Sequence, residues 1–270
     1  MRIKTLKNKI INPDKKGLVV FDMDGTLTKT KAVMDHEMSK LLAILLHDKK
    51  VAIIGGGKYE LFKIQFLRSF KCPAPLLKNL FLFPTTATSF YRYKDGWKNV
   101  YAHQLSLKER SKIKQTFKDV LEEIEYVQPK KVYGKVIEDR GTQITFSALG
   151  QDVVAVLGER KGVALKTKWK EENTDTKMKI ANLMARRLPD FRVGAAGYTS
   201  VDITRKGIDK AYGIKQIEKY LRVPRAQMLF VGDALLPGGN DHAATKTGVD
   251  CVSVGGPEDT KRVIRAILTR

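Results

Sequence analysis

The stretch Leu18-Val19-Val20-Phe21-Asp22-Met23-Asp24-Gly25-Thr26-Leu27-Thr28 decides the fold. Four consecutive apolar residues predict a strand buried on both faces, because a strand with one wet face would alternate. Asp22 stops the run, and Asp24-Gly25-Thr26 reads as a turn. Two carboxylates therefore stand at the carboxyl end of a buried strand, the place where open parallel sheets bind ligands.

Working outward, residues 34–47 carry helical periodicity. Val51-Ala52-Ile53-Ile54 is a second buried strand, stopped by Gly55-Gly56-Gly57, and residues 59–70 are helical again. Strands alternating with helices predict a parallel sheet covered by helices. The pattern then changes. Phe90-Tyr91-Arg92-Tyr93 and residues 97–102 flank Lys94-Asp95-Gly96, a hairpin signal. Residues 106–126 read as an amphipathic helix. Residues 135–137 and 143–146 read as antiparallel strands around Arg140-Gly141-Thr142. A helix is expected over 175–187, capped by Thr174 or Asp175, followed by strands at 191–193 and 199–203. The parallel pattern resumes with a helix over 209–220 and a third buried strand, Met228-Leu229-Phe230-Val231, that ends at Gly232-Asp233. A last strand, Cys251-Val252-Ser253-Val254, precedes a helix over 257–268 with Pro first and acids in its opening turn. The expectation is an α/β core of residues 1–104 plus 207–270, split by an inserted α+β domain of residues 105–206.

Four features fall at the carboxyl ends of the core strands: Asp22 with Asp24, the glycines at 55–57, Lys210 at a helix start, and Asp233. A carboxylate nucleophile can approach a negatively charged phosphoryl group only if a metal ion and a cation neutralise the repulsion. Magnesium takes hard oxygen ligands, typically one or two carboxylates plus waters, which Asp22 and Asp233 can supply. Lys210 offers a compact positive charge. Gly55, Gly56 and Gly57 let backbone N–H groups approach phosphate oxygens. Asp24, in the turn, is placed to protonate a leaving oxygen and then to activate the next acceptor.

Asp22-Met23-Asp24-Gly25-Thr26-Leu27-Thr28 resembles the signature of the haloacid dehalogenase-like (HAD) phosphohydrolase superfamily. Gly232-Asp233-Ala234-Leu235-Leu236-Pro237-Gly238-Gly239-Asn240-Asp241-His242 is similar to the long fourth motif of eukaryotic-type phosphomannomutases, as is Pro257-Glu258-Asp259-Thr260. Asp209-Lys210 resembles that family's lysine motif. Ile137-Glu138-Asp139-Arg140 and Ser200-Val201-Asp202 resemble its sugar-phosphate-binding cap strands. The likeness runs from about residue 17 to the end and is patchier in the cap. It implies a Rossmann-like parallel-sheet HAD core with a C2-type cap (subfamily IIB), Mg2+, and a phosphoaspartate at Asp22. It implies that Asp233 and the carbonyl of Asp24 complete the metal site, with Asn240 and Asp241 supporting it; Asn240 is also carried over to phosphate and Asp241 to metal. An N-cap for the following helix is the ordinary alternative for both residues. Arg140, Ser200 and Asp202 are implied as substrate-binding residues, and a homodimer paired through the cap is implied as well.

Two positions depart from the mutase pattern. Gly57 stands where that family has a hydroxyl residue, and Gln151 stands where it has a cap arginine. Arginine is the fitting residue for bidentate phosphate recognition, whereas glutamine carries no charge. A mutase must grip a bisphosphate at both ends, and a phosphatase needs one. The expected function is therefore a magnesium-dependent phosphatase acting on a phosphorylated small molecule, with a sugar phosphate as the expected class, through an aspartyl-phosphate. A phosphomannomutase is the alternative, and a basic nucleic-acid-associated protein on the same scaffold is the second.

Composition bounds the rest. The chain has 270 residues, 43% hydrophobic and 29% charged, ordinary for a globular protein. Cys72 and Cys251 match no zinc spacing and no disulfide framework. The longest apolar run, residues 41–46, is too short to span a bilayer. The basic N-terminal stretch lacks the apolar segment of a secretory signal, so a cytoplasmic protein is expected. The net charge of +21, from 50 Lys+Arg against 29 Asp+Glu, attracts polyanions and small phosphorylated molecules alike; a lysine-rich surface without a specific partner is the ordinary reading. Aromatics over residues 90–101 beside basic residues suit either base stacking or hairpin packing. His36, His47, His103 and His242 show no paired metal spacing.

Overall fold

The computed structural model describes residues 10–29 and 32–269; the basic stretch ahead of Ile10 lies outside them. Leu18–Asp22 forms β1, buried at every residue. Helix α1, His36–Asp48, starts on Asp35, whose carboxylate accepts the Met38 N–H at 2.9 Å, and it buries Met38, Leu42, Leu45 and Leu46 at helical spacing. Strand β2 is Lys50–Ile54. The helix expected over 59–70 is α-helical only at Tyr59–Phe62 (α2) and widens to a π-turn over Lys63–Leu67, which keeps Gln65 and Phe66 buried. Leu80–Phe83 forms β3, a strand that the sequence reading did not place. Strands β4 (Ser89–Tyr93) and β5 (Trp97–Ala102) make the expected hairpin. Its aromatics largely pack inward: Phe90 stacks on Phe83 at 4.5 Å and Tyr91 on Tyr59 at 3.9 Å.

The chain then enters a second unit. Helix α3, Leu107–Glu123, opens with a capping box in which Ser106 and Glu109 satisfy each other's backbone N–H groups. Strands β6 (Ile137–Asp139) and β7 (Ile144–Ser147) follow. The helix expected to begin at 175 instead belongs to α4, Val153–Arg187, interrupted at Gly158 and Asn173. Thr174 does not cap it, because its hydroxyl donates back to the Lys170 carbonyl at 2.6 Å. Strands β8 (Phe191–Ala196) and β9 (Ser200–Arg205) complete the unit. The chain returns through α5 (Lys210–Leu221), β10 (Met228–Gly232), the short α6 (His242–Thr245), β11 (Asp250–Ser253) and α7 (Pro257–Leu268).

The residues up to Ala102 together with those from Asp209 on form one compact unit, and His103–Ile208 form the other. The first is built on a seven-stranded sheet of order β11-β10-β1-β2-β3-β4-β5. Its first five strands run parallel, and β4 and β5 are antiparallel. Helices bury both faces, with Val19, Phe21 and Ile53 in one cluster and Leu18, Val20 and Ile54 in the other. Continuous apolar strands follow from this two-sided burial. The second unit has a four-stranded antiparallel sheet, β6-β7-β9-β8. One face packs Ile144, Phe146, Val201 and Ile203 against Phe117, Val120 and Ile180. Alternation puts Glu138, Thr145, Ser147, Ser200 and Asp202 on the other. Cys72 and Cys251 are free thiols. Among the described residues no helix is long and apolar enough to cross a membrane.

Candidate active site

Strand β1 lies between β2 and β10 at the centre of the sheet, and Phe21 pairs with Val231. The register carries Gly232, the last residue of β10, and Asp233 beyond it alongside Asp22, at the carboxyl ends where ligands bind. Asp22 is 3% exposed. Lys210, the first residue of α5, is 2% exposed; its helix is started by Asp209, which accepts the Tyr212 N–H at 2.9 Å. The Lys210 ammonium donates to the Asp22 carboxylate and to the Ile54 carbonyl at 3.0 Å, and lies 3.2 Å from Asp241 Oδ1.

Two glycines allow the carboxylates to converge. Gly25 has φ +88°, and a Cβ there would stand 2.5 Å from Asp233 Oδ2. A Cβ on Gly232 would collide with the Asp241 carboxylate. Thr26 donates its hydroxyl to Asp233 Oδ1 at 3.3 Å. Asp241 bonds the Ala234 backbone twice, accepting its N–H at Oδ2 (3.2 Å) and donating its own N–H to the carbonyl (3.1 Å). These contacts close the loop 234–241. His242 braces it through a ring nitrogen 3.0 Å from the Leu235 carbonyl.

Carboxylate oxygens of Asp22, Asp233 and Asp241 all lie within 4.8 Å of one another. Burial pushes the Asp22 carboxyl well above the usual range; Lys210 opposes this, and the charges of Asp241 and Asp233 add to it. Asp233 is raised by burial and by Asp241. Burial works against the charged form of Lys210, but Asp22 and Asp241 outweigh it and hold the ammonium protonated. Three carboxylates thus face one buried cation. Asp241 Oδ1 is buried 3.2 Å from the Lys210 ammonium, whose single charge it shares with Asp22. Buried carboxylates that outnumber the cations beside them cost stability unless a further cation balances them. The oxygen donors and their excess negative charge fit a hard divalent cation.

The sequence-derived residues divide as follows. Asp22, Lys210, Asp233 and Asp241 come together. Asp24 sits in the turn, bridged to Thr28, and its carboxylate is not one of the three clustered acids. The N–H of Gly55 donates to the Phe83 carbonyl at 3.3 Å. That bond ties Gly55 to the sheet at the end of β3. The carbonyls of Gly55 and Gly57 accept the N–H groups of Thr86 and Thr85, both at 2.8 Å. Asn240 is exposed beside Asp241. Asp241 occupies the N-cap position of α6 but makes no side-chain cap bond; its carboxylate instead meets the Ala234 N–H and Lys210. Thr26 and His242 were given no firm role from the sequence, although Thr26 lies inside the deciding motif.

In the second unit, the Arg140 guanidinium is held by Glu138 Oε2 at 2.8 Å and by Gln151 Oε1 at 3.0 Å. Its side chain is 5% exposed. Thr145 donates to Asp202 Oδ1 at 2.7 Å and receives the Gln143 amide at 2.9 Å. Ser200 is buried on the same sheet face. Gln143 Oε1 and Gln151 Nε2 are buried without a partner among the described residues.

The family profile of eukaryotic phosphomannomutase matches residues 38–270. A phosphomannomutase of Encephalitozoon cuniculi is 27% identical over 266 residues, covering 95% of each chain, and that of Saccharomyces cerevisiae is 23% identical over 253 residues, covering 92% of each. Among solved structures, an IMP-bound Plasmodium falciparum IMP-nucleotidase superposes with a TM-score of 0.68 at 14% identity, covering 94% of this chain and 68% of that one. Aspergillus fumigatus trehalose-6-phosphate phosphatase gives 0.53 at 17%, covering 95% and 94%. With a match over most of its length and this fold beneath it, the chain belongs to the eukaryotic phosphomannomutase family of the HAD superfamily.

Proposed function

We propose that the chain is a magnesium-dependent phosphatase that hydrolyses a sugar phosphate through a phosphoaspartate on Asp22. The observation that carries hydrolysis over isomerisation is the state of Arg140. Its charge is already matched by Glu138, and the side chain that meets it from residue 151 is a neutral glutamine. A second phosphate would need more free positive charge than this pairing leaves.

In this reading an Asp22 oxygen attacks phosphorus, and Lys210 compensates the negative charge that gathers there. Asp24 gives its proton to the departing sugar oxygen. The resulting carboxylate then takes a proton from water, which attacks phosphorus, breaks the P–O bond to Asp22 and restores the free carboxylate. Backbone N–H groups of Gly56 and Gly57 receive phosphate oxygens, and Asn240 adds a neutral donor nearby. Asp22, Asp233 and Asp241, with the carbonyl of Asp24, would hold Mg2+, which supplies charge neutralisation to the phosphoryl group. Arg140, Ser200 and Asp202 are proposed to contact the sugar.

The test is a screen of sugar monophosphates with magnesium, run beside an assay for interconversion of mannose 1-phosphate and mannose 6-phosphate with a bisphosphate activator. Inorganic phosphate released without isomerisation supports the proposal; isomerisation without release refutes it. Phosphomannomutase activity is the second reading, favoured by the names of the relatives.

A further inference from the structure

The core unit carries a basic groove at the end of its sheet away from Asp22. The groove has a volume of about 490 Å³, and its lining includes Lys50, Lys78, Arg92, Lys94, Tyr93 and Tyr220 but no acidic residue. The pairing of Leu18 with Lys50 and of Asp22 with Ile54 fixes its place. Four residues separate those two pairs, about 13 Å at the usual rise of a parallel strand. This groove is therefore separate from the carboxylate cluster.

Strand register lines up the cations. Val51 pairs with Leu80 and Phe81 with Arg92, so one residue further toward this sheet end Lys50 stands level with Asn79, and two residues beyond Arg92 Lys94 stands level with it too. Adjacent strands lie about 4.8 Å apart, which sets Lys50 and Lys94 about 10 Å apart on either side of Asn79, with Lys78 next to Asn79 in the chain. Arg92 is also paired directly with Lys98 on β5. Like charges directly opposite on a sheet are destabilising, and the lining supplies no acid to relieve them. The turn acid Asp95 is exposed beyond the lining.

One aromatic ring borders the row. Phe90 is 2% exposed, whereas Tyr220 is 37% exposed; Tyr93 alternates with Arg92 and Lys94, so its ring lies on the other face of the sheet. Tyr220 is backed by Tyr101 at 4.9 Å and by Phe90 at 5.6 Å between ring centroids, so the partly exposed ring is supported from behind. Cations spaced along a groove beside a supported aromatic ring are the elements with which proteins hold single-stranded nucleic acid, the cations following the phosphates and the ring stacking on a base. We infer that this groove binds a single-stranded nucleic acid segment. The net charge of +21 favours the encounter at long range.

The test is fluorescence anisotropy of a labelled 12-nucleotide polyuridine with the full-length protein at about physiological salt. The groove variant combines Lys50→Gln, Arg92→Gln and Lys94→Gln. A control of equal charge combines Lys40→Gln, Lys118→Gln and Lys215→Gln at exposed sites elsewhere. The expected result is a Kd at least tenfold weaker for the groove variant, with the control near wild type. The slope of log affinity against log salt should become shallower by about 2, since each phosphate contact on a single strand contributes roughly 0.7. Tyr220→Ala, which removes a ring and no charge, should weaken the strand several-fold and leave binding of dextran sulfate unchanged. No binding by wild type, or equal losses in the groove and control variants, overturns the assignment. So does a Tyr220→Ala variant that binds the strand like wild type. If the triple variant fails to fold, Lys94→Gln at the hairpin turn and Tyr220→Ala carry the same comparison.

Discussion

Asp241→Asn separates the metal-binding proposal from the stability of the protein itself. Asp241 is fully buried, with oxygens no more than 4.8 Å from those of Asp22 and Asp233. At an effective dielectric of 20, two charges at that distance repel by about 3.5 kcal/mol. The exposed side of Asp233 lets solvent screen its share, so removing the Asp241 charge relieves about 5 kcal/mol in all. The same change forfeits the attraction to Lys210 at 3.2 Å, also about 5 kcal/mol on that scale. The two cancel to within about 2 kcal/mol, and asparagine still accepts the Ala234 N–H. Without metal, the variant should therefore melt close to wild type. Magnesium should tell them apart. At a concentration a hundred times its Kd, a ligand specific for the folded state adds about 2.7 kcal/mol, or about 5–11 °C in Tm for a protein of this size. A tenfold weaker site in the variant adds about 1.4 kcal/mol and about 3–6 °C. Differential scanning calorimetry with and without magnesium reads both. An undiminished magnesium shift in the variant would refute the assignment of Asp241, and no shift in wild type would refute the site.

Other substitutions follow from the same geometry. Asp22→Asn should abolish turnover while the circular dichroism spectrum stays native, and wild-type turnover in that variant would rule out the nucleophile. Asp24→Asn should slow hydrolysis of sugar phosphates by about 10²–10⁴-fold, the usual contribution of a general acid/base. Phosphoenzyme formation from p-nitrophenyl phosphate should suffer less, because its leaving group needs little protonation. Gly25→Ala should cost about 1–2 kcal/mol for a side chain in the left-handed region and weaken the magnesium shift, because its Cβ meets Asp233. Arg205 and the Ser106 cap hold the Glu109 carboxyl down at about 2. A folded value below the ordinary one of about 4.3 means that its stabilisation is present above that value and lost as pH falls from there toward 2. Solvent screening limits the effect to about 1 kcal/mol, so urea unfolding should find Glu109→Gln less stable than wild type at pH 7 and nearly equal to it at pH 2.

The core was legible because its signals are local. Leu18 to Phe21 and Met228 to Val231 are continuous apolar runs, and both end on the carboxylates that matter. Leu80–Phe83 was missed because Leu-Phe-Leu-Phe has no β-branched residue and sits between the prolines at 75 and 84. The first half of α4 was missed because Gly158 (φ +76°) and Asn173 (φ −133°) break the helix and so break its apolar period. The cap contacts were illegible for another reason. The pairing of Arg140 with Gln151 spans 11 residues and that of Thr145 with Asp202 spans 57, and no local propensity encodes either.

The same distinction explains why net charge could not locate the catalytic site. The chain carries +21, yet the three clustered carboxylates and Lys210 leave a local balance of about −2 with all four groups ionised. Charges further than about 8 Å away are largely screened at physiological salt, so the surface lysines cannot offset that deficit at the distance of a phosphorus atom. A phosphate dianion entering such a site meets repulsion unless a proton or a divalent cation is already there. Burial raises Asp22 toward its protonated form, and a protonated carboxyl is a poor nucleophile. A cation restores the charge balance and keeps Asp22 ionised; a proton restores only part of the balance and disables the attacking group. The proposed need for a metal thus rests on the juxtaposition of Asp22, Asp233 and Asp241, which neither the total charge nor any one of the motifs contains.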